Sequence, residues 1–342
     1  MERHHTITIL LVSVAAGAAF VLAIEPTNKR ATRPQPTAPP VGIAAKYPGD
    51  KGIARHRAVV FTDGFENAQP GKLQSKMGGD KQAKWDNAWG GCRVTNRTEN
   101  IHGGKGALEL EIVRPSSQKA TSIGVHQYFK KGFDRLYLRY YAKYGKDTQL
   151  YHGGTHNGGN IVARAPGVPQ ACPGVPADGR NKFTVLLDTW RDKKAISSPG
   201  HLAIYCYHPQ QRHKWGEHFF PSGRILPGRQ GQLAGLLGKQ FKPRPDVIPQ
   251  RGRWRCYELM VQANTPGKRD GRIAFWVEGK LVGDFPGLRL RDAAGLKANR
   301  IGLGLYTHNN KVTKTCRMWF DDVVVATEYI GPMTPVILTA QP

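Results

Sequence analysis

Two tyrosines one residue apart, Tyr205 and Tyr207 in the run HLAIYCYH, carry the most chemistry for their spacing. Side chains alternate along a strand, so His201, Ala203, Tyr205 and Tyr207 share one face, and Leu202, Ile204 and Cys206 share the other. The strand has an apolar side for a core and a Tyr/His side for another task. The run RLYLRYYAKY repeats the division, with Arg135, Tyr137, Arg139, Tyr141 and Lys143 opposite Leu136, Leu138, Tyr140 and Ala142. Such faces suit an anionic polymer that carries hydroxyl groups.

The charge balance points the same way. Lys plus Arg outnumber Asp plus Glu by 50 to 25 in 342 residues, a formal net charge of +25. That excess calls for an acidic partner: nucleic acid, anionic lipid or acidic polysaccharide. The N-terminus weighs against the first. Arg3 precedes an uncharged stretch from Ile7 to Ile24, which reads as a signal peptide, with an uncleaved membrane anchor as the alternative. Both place the remainder outside the cytoplasm, as a secreted or periplasmic protein or a membrane-anchored one. The membrane enters only through that segment, and a monomer is expected.

These faces need strands to position them, and the chain supplies them. Residues 25–54 read as a disordered, Pro-rich basic linker. From Ala58 onward about ten strand-like runs follow, separated by turn signals, and the 40 glycines and 24 prolines favour such an organisation over helices. Gly231–Lys239 is the one short helix candidate. The expected fold is all-β: a two-sheet antiparallel jelly roll over residues 55–332, with few short helices and a tail at 333–342. Two long loops are expected over the sheets. Tyr151–Gly179 is rich in Gly, Pro and His, and Gln211–Arg255 is a basic rim with ten basic and two acidic residues. The five cysteines form no CxxC pair, which argues against zinc. It leaves room for one or two disulfides, with Cys206 as a buried free thiol.

The segment WRCYELMVQANTPGKRDGRIAFWVEGKLV, with the closing MWFDDVVVATEYIGP, resembles the concanavalin A-like jelly-roll polysaccharide lyases. Among these, the alginate and glucuronan lyases of the family-fourteen and family-twenty kind are the relatives meant. The resemblance implies a β-elimination on a uronate-containing polysaccharide, with the active-strand Y-x-Y pair matched by Tyr205 and Tyr207. It also implies a hydroxyl residue two before an arginine, which Thr189, Trp190 and Arg191 match. A lysine follows two glycines in the family; here Thr155 and His156 stand there. A structural calcium ion is common in such relatives, and Glu66 and Asp321 match its carboxylate ligands.

The elimination requires a neutralised carboxylate, a base at C5 and an acid at O4. Arg191 is the expected neutraliser, since a guanidinium grips a carboxylate with two donors. Tyr207 and then Tyr205 are the expected acid–base groups, provided that neighbouring cations lower their pKa, and His156 is an alternative base. Arg139, Tyr141, Lys143, His126, Tyr128 and Arg164 are expected to hold neighbouring sugars beside Thr189, with Trp190 as a stacking platform. Hydrolysis is the rival chemistry, but no E-x-D-x-x-E run accompanies Asp188 or Glu258, and no nucleophile elbow, HExxH or P-loop occurs. A non-catalytic glycan-binding module of the same fold is the other class of function that these residues allow.

Overall fold

The computed structural model describes residues 41–113, 121–150, 153–191, 196–227, 233–307 and 315–336. The signal or anchor segment lies outside them, as does His152. Among the described residues no helix is long and apolar enough to cross a membrane.

The strands in chain order begin with β1 (Val59–Asp63), β2 (Gly71–Lys72), β3 (Asn87–Trp89), β4 (Arg93–Thr95) and β5 (Ala107–Ile112). The long pair β6 (Thr121–Phe133) and β7 (Arg135–Tyr144) comes next, then β8 (Gly153–Thr155), β9 (Asn157–Arg164), β10 (Lys182–Arg191) and β11 (His201–Tyr207). β12 (Glu217–Phe219), β13 (Ile225–Leu226) and the short helix α1 (Leu233–Leu237) follow. The chain closes with β14 (Arg255–Gln262), β15 (Gly271–Val277), β16 (Lys280–Leu288), β17 (Ala298–Thr307) and β18 (Cys316–Ala326).

They form two nine-stranded sheets. The first runs β16-β15-β14-β7-β18-β5-β4-β2, with β1 also on β18. The second runs β13-β12-β11-β10-β9-β17-β6-β3, with β8 on β10. Every strand pair is antiparallel, the two-sheet jelly roll that the alternation predicts. Leu136, Leu138 and Tyr140 of the first sheet and Val185, Leu187, Leu202, Ile204 and Cys206 of the second belong to one core between them. The N-T-P-G turn is held by a fully buried hub. Asn264 Oδ1 accepts the N–H groups of Leu290 and Arg291, while its Nδ2 donates to the Thr265, Lys268 and Arg291 carbonyls.

Three expectations give way. From Val41 onward the linker is ordered: Ile43–Lys46, Pro48–Asp50 and Ile53–Arg55 form short 3-10 turns, and Ile43, Ala44 and Ile53 pack on Val324, Ala326 and Ile330. Its apolar residues sit on a sheet that would otherwise be bare. The tail joins them, since Gly49 N donates to the Thr334 carbonyl and Thr334 Oγ1 to that of Ala44. Residues 165–179 of the expected Tyr151–Gly179 loop remain a loop, but its first part is sheet, because β8 and β9 lie in it. Gly158, at φ +122°, shows why: a Cβ there would stand 2.4 Å from the Leu187 carbonyl oxygen. The five cysteines are all free thiols, four of them buried, Cys206 included.

Candidate functional site

Cross-strand register lays out the outer face of the second sheet in rows. One row reads Tyr207, Thr184, Val162, Arg300, Tyr128 across β11, β10, β9, β17 and β6. The next reads His218, Tyr205, Leu186, Asn160, Gly302, His126 from β12 to β6. The third passes from Ala203 to Asp188 on β10, and Gly158, Gly304, Gly124 and Trp89 continue it from β9 to β3. Glycines at 158, 302, 304 and 124 strip side chains from the middle of this face. The two flanks keep them.

One flank is a compact polar cluster. His156, between β8 and β9, places Nδ1 2.8 Å from Asp188 Oδ2. His218 Nε2 lies 3.6 Å from the same oxygen. Tyr205 stacks on both imidazoles, with ring centroids 4.3 Å from His156 and 4.4 Å from His218, and Trp190 meets His218 at 4.4 Å. Asp188 and His218 are buried, at 1% and 2% exposure, whereas His156 is partly open. Burial lowers the pKa of His218, and the Asp188 carboxylate opposes that shift.

The Tyr205 hydroxyl donates to the Tyr207 hydroxyl at 3.0 Å and accepts the Gly216 N–H at 3.1 Å. Cations do not lower these phenols. Burial pushes Tyr205 well up, and its bond to Tyr207 adds to the rise. Burial also raises Tyr207, but there the bond from Tyr205 opposes the shift, so Tyr207 is the more readily ionised of the two. Ala171 and Ala177 share one buried apolar cluster with the two tyrosines.

The other flank is cationic and aromatic. Trp89 tilts against His126 at 4.4 Å, and His126 meets Tyr128 edge-on at 6.1 Å. Desolvation, then the charges of Arg300 and Arg164, push His126 down to about 3. Arg300 is 2% exposed and donates to Gln170 Oε1 at 3.0 Å.

The face therefore gathers Tyr205, Tyr207, His156, Trp190, His126, Tyr128 and Arg164, and excludes five other expected residues or their roles. Arg139, Tyr141 and Lys143 lie on β7, in the first sheet. Arg139 is fully buried against Asp50, Tyr141 stacks on His102 at 3.7 Å and accepts the Met333 N–H, and Lys143 donates to the Glu99 carbonyl and to Asn100 Oδ1. Their polar face is covered by the 3-10 turns, the 98–102 segment and the end of the chain, not by a ligand. Thr189 points inward and hydrogen-bonds with Asn157. Arg191, which shares its parity, donates to the carbonyls of Ile196 and Leu150 and ties two loops.

The carboxylates matched to calcium both accept main-chain donors. Asp321 accepts N–H bonds from His102, Gly103 and Asp322, and Glu66 Oε2 accepts that of Lys105. Burial and the neighbouring Asp322 raise Asp321 to about 8.

Asp188 and His218 are the functional residues that sequence reasoning missed. In the sequence Asp188 reads only as a hydrolytic acid, and His218 sits in the basic rim. The signal was the short alternation EHF, which puts Phe219 inward and His218 outward.

No protein-family model and no curated protein matches the chain. Solved structures do match in fold. The alginate lyase Aly36B is 14% identical at a TM-score of 0.53, over 80% of this chain and 98% of its own. The marine PL-14 alginate lyase from Aplysia kurodai is 15% identical at 0.52, over 79% and 99%. The alginate lyase vAL-1 from Chlorella virus is 14% identical at 0.50, over 79% and 99%. The jelly-roll fold that the W-V-x-G-K hairpin suggested is thus shared with polysaccharide lyases.

Proposed function

We propose that the outer face of the second sheet binds an acidic, uronate-containing polysaccharide and cleaves it by β-elimination. The observation that carries this reading is the Tyr205–Tyr207 hydroxyl pair, 3.0 Å apart, set beside the His156–Asp188–His218 cluster. Alginate, the substrate named for the lyases of like fold, is the first uronate to try, and glucuronan the second.

In the reaction, ionised Tyr207 takes the proton from C5 of the uronate. The C5–H electrons form the C4=C5 double bond as the C4–O4 bond breaks. Tyr207, now neutral, returns the proton to O4 of the leaving sugar. Tyr205 does not touch C5; its O–H donates to the Tyr207 oxygen and favours the ionised form. His156, the open member of the cluster, lies where the carboxylate next to C5 would be turned. Trp190 offers a ring face beside it, and Arg164, His126 and Tyr128 hold sugars further along the trough. Ala171 and Ala177 share a buried cluster with the tyrosines, so their loop must move for C5 to reach Tyr207.

A second reading, a binding module without catalysis, has one observation in its favour. Tyr205 and Tyr207 are only 6% and 3% exposed in that cluster. The experiment that separates the readings is incubation with alginate and glucuronan while following the ultraviolet absorbance of the unsaturated product. Absorbance that rises and is lost in Tyr207→Phe supports the lyase. Retention on the polymer with no absorbance rise supports the module.

A further inference from the structure

We propose that His156, Asp188 and His218 bind one divalent transition-metal ion, zinc by preference, with an open coordination position facing the trough. The three donors come from three places in the chain: the β8–β9 junction, β10 and β12. Their ligand atoms all lie within 4.8 Å of one another. Two imidazoles and a carboxylate are a zinc donor set, and three protein ligands with one position left open is the arrangement of reactive rather than structural zinc.

A second observation points to a ligand. A purely hydrogen-bonded cluster would satisfy His156 Nδ1 and Asp188 Oδ2 only. Asp188 Oδ1 and both ring nitrogens of His218 are buried without a hydrogen-bond partner. Buried polar atoms are rarely left so, and a cation between the rings and the carboxylate would employ one nitrogen of His218 and the Asp188 carboxylate, leaving the other His218 nitrogen as it is. The rings are already oriented for it, since His218 is wedged between Trp190 and Tyr205, and His156 is stacked on Tyr205. The fit asks for a small adjustment. Bonds of about 2.0–2.2 Å to tetrahedral zinc set ligand atoms roughly 3.3 Å apart, so the 2.8 Å pair of His156 and Asp188 must open by about half an ångström. His156, the partly exposed donor, marks the side on which the fourth position opens.

The role of the ion, unlike its binding, rests on the lyase reading. With Arg191 tied to main-chain carbonyls, the open position is where a uronate carboxylate would be neutralised beside Tyr207. Calcium would not substitute, because it selects oxygen donors.

The test is metal content and affinity of the purified protein, stripped with a chelator and titrated with zinc. One zinc per chain is expected, together with a higher melting temperature and, with cobalt(II) in its place, visible ligand-field bands of a tetrahedral site. Asp188→Asn and His218→Gln should weaken zinc by at least about 100-fold, more than loss of an outer-shell partner does. The exposed His213→Ala should bind as the wild type does, and excess calcium should not displace the zinc. Folded wild-type protein that takes up less than stoichiometric zinc overturns the proposal, as does undiminished binding in folded Asp188→Asn. Activity is read separately. Stoichiometric zinc without product leaves the metal site standing and removes the lyase, whereas product from protein that takes up no zinc does the reverse.

Discussion

Tyr205→Phe and Tyr207→Phe each remove one oxygen, yet the geometry predicts different losses. Tyr207 is the group that carries the proton, so its removal should cost about 10²–10⁴ in kcat. Tyr205 only donates to Tyr207, across 3.0 Å. A hydrogen bond to an ionised acceptor is worth about 1.5–3 kcal/mol, or roughly 10–150-fold in rate. Tyr205→Phe also strips the acceptor from the buried Gly216 N–H, which should cost about 1–3 kcal/mol of stability that Tyr207→Phe keeps. The pH profile adds a sign. The bond from Tyr205 lowers the pKa of Tyr207 against the rise due to burial, so without it the alkaline-rising limb of kcat should move to higher pH. The assay is the initial rate of ultraviolet absorbance on alginate across pH, with urea unfolding of each variant alongside. A greater loss in Tyr205→Phe than in Tyr207→Phe, or an unmoved pH limb, would refute the assignment.

Trp190→Ala should raise KM several-fold with a smaller change in kcat, because a stacked aromatic contact is worth about 0.5–1.5 kcal/mol; an unchanged KM would remove its platform role. Lys143→Ala should leave cleavage intact and lower the urea midpoint. Its ammonium sits on the first sheet, bonded to Glu99 and Asn100 and 4.7 Å from the Trp319 ring, and lost activity would contradict that placement. Glu258 gives a pH dependence of stability. Burial raises its carboxyl from 4.5 to about 7 despite N–H bonds from Ile330 and Gly331. A raised carboxyl pKa disfavours the ionised folded state, so stability should fall as pH rises from about 4.5 through about 7. The full effect is of order 3 kcal/mol. Melting curves of the wild type and of Glu258→Gln over that range should differ by this slope, and parallel curves would place the titration elsewhere.

Alternation alone identified β7 to the residue and β11 to within one, and the segment with the W-V-x-G-K hairpin pointed to the fold. The first follows from a local rule, since a strand with one apolar face must bury it; the second follows from likeness of a segment whose preceding N-T-P-G turn is tied by Asn264 to Leu290 and Arg291. Which sheet a strand joins is a long-range fact. RLYLRYYAKY has the same two-faced pattern as HLAIYCYH, but it pairs with β14 and β18, and its polar face is sealed by residues 43–55 and 329–334, far away in sequence. The site was legible residue by residue, in Tyr205 and Tyr207 on one strand and in Trp190 and His156 singly. The cluster was not, because Asp188 and His218 join His156 only once β8, β10, β11 and β12 are paired. Glycine misled as well: at Gly158 and Gly159 it marks close packing against Leu187 and Tyr140, not a loop.

β-Elimination is tested most directly by the chemistry of its product. Alginate and glucuronan, incubated with the protein and analysed by mass spectrometry beside the ultraviolet trace, should yield fragments whose new non-reducing end carries a C4=C5 double bond, with no water gained. Fragments heavier by one water and without ultraviolet absorbance would mean hydrolysis and contradict it. So would an unshortened polymer.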